Sequence, residues 1–290
     1  TSGDPLNLHS FPTRRSSDLG ITNNPQLQSM DLSGLHDIRS LNLSSNTLMT
    51  SISIPDNPYL ITIAVNNCSN LSSLNLGYCP QVTSLQAHAC NFTSCNFNLP
   101  NCNTLYIYAN KIESVNFSGM SKLKNIYMSN HNCSIIDVNQ LPDLEYFDCS
   151  NAANYLYGYN YNKLKSLDFS NNTKIKTLIL NYNGLVTISG LNGKNFLDTL
   201  NCMRIGGDKL TSLNLQNTPS LKTLNVYNQD LTSIDLSNSS ILELVDIRAN
   251  PLTSFPTLVS PTLKKINVGS SFNNINSDFH YDNFTYKSLI

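Results

Sequence analysis

The chain has 290 residues, a formal net charge of −1 and only 13% charged side chains. Near-neutrality removes the electrostatic basis for gripping nucleic acid or an anionic membrane surface, and no apolar run approaches the roughly 20 residues needed to span a bilayer. Asn and Ser are abundant and Trp is absent; such a composition alone points to disorder, but a regular aliphatic spacing overrules it.

In chain order, residues 1–19 lack that spacing. Phe11 to Leu19, FPTRRSSDL, resembles the translation of a sequencing adapter, so 1–19 is read as an artefactual or disordered leader, with a basic leader or linker as the alternative. No apolar central region of a secretory signal is visible in it. From residue 20 to 271 the signature Leu-x-x-Leu-x-Leu returns about every eleven residues, as in LKTLNV at 221–226, LTSIDL at 231–236 and LELVDI at 242–247. Alternate copies run on into an Asn, as in Leu41-x-Leu43-x-x-Asn46 and Val245-x-Ile247-x-x-Asn250. The repeating unit is therefore a pair of signatures, roughly 21 residues long.

Units begin at Ile38, Leu60, Val82, Cys102, Leu123, Leu144, Ile175, Leu197, Leu221, Leu242 and Leu263. Their ninth positions are Asn46, Cys68, Cys90, Asn110, His131, Ala152, Asn183, Ile205, Gln229, Asn250 and Ser271. Alternation at the fourth to sixth positions has period two, which predicts one short strand per unit with its apolar pair inward. The second halves carry Ser-Asn-Thr-Pro punctuation, as at Asn217-Thr218-Pro219, and are predicted extended instead of helical.

This pattern resembles the leucine-rich repeat family, L-x-x-L-x-L-x-x-N/C-x-L, over about residues 27–271. The short unit resembles its internalin-like bacterial surface type. The resemblance implies a leucine-rich repeat solenoid of about 11 units, mainly β. One face would be a parallel sheet and the other extended segments, with few or no helices, in a gently curved slab. The family's ninth-position Asn satisfies backbone groups at the bend; Cys can stand there, whereas Ala152 and Ile205 cannot, so irregular turns are expected beside them. Residues 272–290 lose the spacing and read as a partial cap or tail, and both ends read as truncated.

One charge pattern tests this phasing. The second positions from Lys124 onward are Lys124, Glu145, Lys176, Asp198, Lys222, Glu243 and Lys264, alternating in sign at every unit. Neighbours in a parallel stack sit about 5 Å apart, where opposite charges gain roughly 0.2–1 kcal/mol. The alternation survives an excess of roughly ten residues between Leu144 and Ile175, so the excess is expected to loop out near 153–163 without shifting register. The eight cysteines fall mostly on apolar or ninth positions with no C-x-x-C, and read as small buried hydrophobes. A Cys68–Cys90 disulfide between equivalent sites is left open.

The third, fifth and seventh positions of such a solenoid face outward. They hold Tyr106, Tyr108, Tyr127 and Tyr146 in the middle units, with His88 and Asp148 nearby. The excess segment adds Tyr155, Tyr157, Tyr159 and Tyr161. Tyrosine offers large contact area, one hydroxyl and little rotamer freedom to lose, so these ten residues are the candidate ligand-binding site. Filling of β-favourable surface positions is the competing explanation. No H-E-x-x-H, G-x-S-x-G or phosphate-loop motif occurs; Gly190 to Lys194 has the wrong spacing for one. Asp278 and Asp282 read as solvated carboxylates, and His131 as a substitute for the ninth-position Asn. Triplets such as Asn91-Phe92-Thr93 follow from composition.

The expected function is a noncatalytic protein-binding or adhesion module of a bacterial surface or secreted protein, with no cofactor, metal or membrane insertion. A structural spacer for an attached domain, a carbohydrate-binding surface module and a host-directed effector are the alternatives.

Overall fold

The computed structural model describes residues 18–151, 163–204, 207–256 and 258–269. Twelve short strands, one from each turn, hydrogen-bond in parallel into one sheet. They run Asp18–Gly20, Ser40–Asn42, Thr62–Ala64, Ser84–Gln86, Thr104–Tyr106, Asn125–Tyr127, Tyr146–Asp148, Thr177–Ile179, Thr199–Asn201, Thr223–Asn225, Leu244–Asp246 and Lys265–Asn267. Asp18 and Leu19, from the segment read as a leader, form the first strand with Gly20 and pair with Ser40 and Leu41.

The other face is built from the second halves. Ser51–Ile54 pairs with Ser73–Leu76, Ser94–Cys95 with Ser114–Val115, and Ser166–Asp168 with Thr187–Ser189, all parallel. Among the described residues a single 3-10 turn, Ser118–Met120, is the one helical element. Pro and Asn punctuation keeps these segments extended, so the coils stay slim.

The middle residue of each strand and its partner two positions on point inward. Leu41 and Leu43, Leu105 and Ile107, Leu178 and Leu180, and Leu224 and Val226 are all buried. Second-half side chains such as Leu71, Phe117, Phe169 and Leu213 meet them in one continuous core. Each such side chain gains roughly 1.5–3 kcal/mol by leaving water, and no coil closes its core without the next.

After the sixth position the chain must turn away from the sheet. It does so by placing the eighth residue in the left-handed region: Ser45, Asn67, Ala89, Ala109, Asn130, Tyr182, Asn228 and Ala249, with φ between 53 and 64°. That bend strands backbone groups, and the ninth side chain satisfies them. Asn110 Nδ2 donates to Ala87 and Ile107 carbonyls at 2.8 and 2.9 Å, while its Oδ1 accepts from Phe92 N at 3.1 Å. Cys68 and Cys90 thiols donate to the Leu43 and Val65 carbonyls at 3.3 and 3.2 Å.

Ala152 and Ile205 lie outside the described residues. Next to them, Asn151 accepts from His131 N and donates to Asn183 Oδ1, and Arg204 donates to the Asn183 carbonyl. A second polar ladder lines the opposite bend, where Asn57 donates to the Leu35 and Ile38 carbonyls and Asn172 to those of Val138 and Leu141.

The register follows the alternating charges. Glu145, Lys176, Asp198, Lys222, Glu243 and Lys264 each donate their backbone N–H to the carbonyl of the preceding charged residue in the series. Glu145 pairs with Lys176 at 2.6 Å and lies 4.0 Å from Lys124, and Glu243 pairs with Lys264 at 2.6 Å. Tyr146–Asp148 pairs directly with Thr177–Ile179, so the excess segment leaves the sheet's register intact. All eight cysteines are buried free thiols, Cys68 and Cys90 included. Burial pushes the Cys90 and Cys133 thiols up to about 12, which keeps them protonated.

Candidate protein-binding face

Tyr106 and Tyr127 occupy the fifth position of consecutive units and are register partners. Their rings stack at a centroid distance of 4.6 Å with planes 10° apart. Tyr146 stands at the third position of the next strand, opposite Asn125, and reaches Tyr127 diagonally at 4.6 Å and 31°. Tyr108, two residues beyond Tyr106 on the same strand face, stacks on His88 at 4.3 Å and 13°. Five of the rings expected on this face thus form two short stacks side by side. Tyr155, Tyr157, Tyr159 and Tyr161 lie outside the described residues.

Stacking leaves these rings half-buried. Tyr146 is pushed up to about 12, first by desolvation and then by the negative charge of Asp148 and by Tyr127. Tyr127 is raised for the same kinds of reason, so both phenols stay neutral donors and acceptors. Burial lowers His88, and its Nδ1 has no hydrogen-bond partner among the described residues. Asp148 is the register partner of Tyr127 and of Ile179. One of its oxygens, Oδ1, accepts from Ser150 N at 2.9 Å and Ser150 Oγ at 2.6 Å.

The sheet's backbone fixes all of this. Inward neighbours Leu105, Ile126 and Phe147 are fully buried, so the outward side chains between them have little freedom to turn away. A rigid aromatic strip bordered by Ser, Thr and Asn can exclude water from a partner's apolar side chains while the phenols exchange hydrogen bonds.

No protein-family model matches the sequence, and a comparison with characterised proteins returns no match. Solved structures do match. An LRR protein of Leptospira interrogans, LIC12759, superposes with a TM-score of 0.55 at 18% identity, over 82% of this chain and 74% of its own. The chain has the leucine-rich repeat fold. The functional domain of InlJ from Listeria monocytogenes, whose structure is described as including a cysteine ladder, is 22% identical with a TM-score of 0.44. That match covers 79% of this chain, which spans 58% of the InlJ domain. The Toll–Spätzle complex from Drosophila matches at 14% identity and a TM-score of 0.47, over 81% of this chain and 41% of the other.

Within the leucine-rich repeat solenoid, two features escaped the sequence reading. At the fifth and seventh positions of the Leu242 unit, Asp246 and Arg248 form a paired contact, Nη2 to Oδ2 at 2.6 Å and Nε to Oδ1 at 3.0 Å. The guanidinium lies over Tyr227, 5.3 Å from its centroid. The spacing Asp-x-Arg was legible, but Tyr227 belongs to the previous coil and joins the pair only through the register. The second is Ile179, which carries the outward fifth-position row onward from Asp148. Lys194, of the rejected glycine segment, is instead buried at the opposite bend and donates to the Ser170 carbonyl at 3.3 Å.

Proposed function

We propose that this chain is a noncatalytic recognition module that captures a protein ligand on the outward face of its parallel sheet, centred on Tyr106, Tyr127 and Tyr146. The observation that carries the reading is the stack itself: three tyrosines held in contact by consecutive strands of a rigid sheet. Preorganisation of this kind leaves little ordering entropy to oppose binding. The module belongs on a surface or secreted protein that uses it for adhesion. No helix among the described residues is long and apolar enough to cross a membrane.

A protein ligand is favoured over a sugar by the same geometry. Sugar stacking needs open ring faces, and Tyr127 has neighbours on both sides while Tyr108 gives one face to His88. The centre of the stack, Tyr127, thus offers ring edge and hydroxyl, which suit the mixed surface of a polypeptide.

The test uses random dodecapeptides displayed on phage and panned on the immobilised chain. Replacing Tyr106, Tyr127 and Tyr146 together by Ala is expected to abolish retention of the selected peptides. Each lost stack costs about 0.5–1.5 kcal/mol of stability, so the variant is checked for cooperative unfolding first. Undiminished retention by a folded triple variant removes the tyrosine face as the binding site.

A further inference from the structure

Asp148 is the one formally charged residue on the third, fifth and seventh positions from the Ile38 unit through the Leu197 unit. Its Oδ1 is committed to Ser150, whereas its Oδ2 has neither hydrogen bond nor ion pair among the described residues. The excess segment near 153–163 has one basic residue, Lys163, which makes no ion pair with Asp148 among the described residues. A carboxylate oxygen at the margin of an aromatic stack therefore has no cation among the described residues.

The same molecule shows how such a corner is completed. Asp246 occupies the equivalent fifth position in the Leu242 unit. Its carboxylate is gripped through both oxygens by Arg248, two residues on, whose guanidinium also covers Tyr227. At Asp148 the residue two positions on is Ser150, too short to do this, while tyrosine is more plentiful: Tyr127 is its register partner and Tyr146 precedes it by two residues. The acid and the aromatic surface are both present and the guanidinium is missing.

Resting on the recognition role above, we propose that the tyrosine face is an arginine receptor: an extended protein segment inserts one arginine, whose guanidinium donates to Asp148 Oδ2. Its aliphatic stem crosses the edges of Tyr127 and Tyr146, and its remaining N–H groups donate to the phenol oxygens. Arginine suits the corner better than lysine because its planar fork serves a carboxylate and a neighbouring acceptor together. The neutral polar surroundings, Ser, Thr, Asn and Gln, leave the charge of Asp148 unopposed and so select for a basic segment.

The same dodecapeptide library provides the test, panned in parallel on the wild-type chain, Asp148→Asn and Ser150→Arg. The expected result is an arginine at one fixed position of the retained peptides, enriched roughly tenfold, the equivalent of one charge-assisted contact. Asp148→Asn keeps an oxygen for the Ser150 turn, yet returns arginine at that position to its library frequency. Ser150→Arg does the same by copying the Asp246–Arg248 arrangement and filling the corner from within. Tyrosine-dependent peptides without an arginine preference, or with one that survives both substitutions, overturn the inference and leave the recognition role standing. Absence of any tyrosine-dependent peptide takes down the recognition role and this inference with it.

Discussion

His131 makes the stability of this solenoid respond to mild acid. It stands at the ninth position of the Leu123 unit, 3% exposed, where most coils carry Asn or Cys. Its Nδ1 accepts the Cys133 backbone N–H at 3.0 Å, so the proton must sit on Nε2, which donates to the Cys149 carbonyl at 3.0 Å. Protonation would place a second N–H against a backbone N–H and a charge in the core. Burial accordingly lowers its pKa from 6.5 to about 4. The unfolded chain thus binds a proton from about pH 6.5 downward that the folded chain refuses until about pH 4. The stability from the neutral ring is complete above pH 6.5 and declines as pH falls through that window. At 1.36 kcal/mol per pKa unit, the loss by pH 4 is about 3 kcal/mol. The assay is urea unfolding at steps from pH 7.5 to 4 for the wild type and His131→Asn, a residue this position accommodates at Asn46, Asn110 and Asn250. At pH 7.5 the two are expected to lie within about 1 kcal/mol of each other; at pH 4 the variant is expected to be the more stable by roughly 2–3 kcal/mol. Asp168 is held down to about 2 by hydrogen bonds from Ser170 and Ser189 and begins to respond only near the foot of the window. Parallel pH profiles for the two proteins would refute the assignment of a neutral, doubly bonded imidazole.

Other substitutions probe the bends. A Cβ on Gly190, whose φ is +73°, would lie 2.2 Å from Ser170 N and 2.6 Å from the Phe169 carbonyl carbon. Gly190→Ala is therefore expected to lower stability by more than about 2 kcal/mol, read by thermal unfolding. Ala249 is exposed with φ 54°, a conformation costing a Cβ-bearing residue about 1–2 kcal/mol. Ala249→Gly is expected to raise stability by about 0.5–1 kcal/mol after glycine's own unfolded-state entropy is deducted; a fall would show that the left-handed bend is not strained.

Much of this architecture was written into the spacing. Leu at the fourth and sixth positions could only be buried together if every unit was a strand in the same orientation, and Leu178 and Leu224 are indeed buried. The alternating series from Lys124 to Lys264 fixed the register independently, because like charges on neighbouring strands repel. The outward tyrosines followed from the same frame. What the linear pattern lacked was distance across coils. It showed that Ala152 and Ile205 could not play the ninth-position role, but not that the neighbouring Asn151 and Arg204 would bond to Asn183 and, for Asn151, to His131 across the coils.

The sequence by itself determined the periodicity, which side chains face inward, and which short rows face out, because these depend only on local alternation and repeat length. The tertiary structure decided who meets whom. Tyr146 reaches Tyr127 on a diagonal, Tyr227 joins Arg248 from another coil, and Asp148 pairs with Tyr127 across the sheet. Such contacts span about 20 residues of chain and arise only when parallel strands are brought to the 4.8 Å spacing of a sheet.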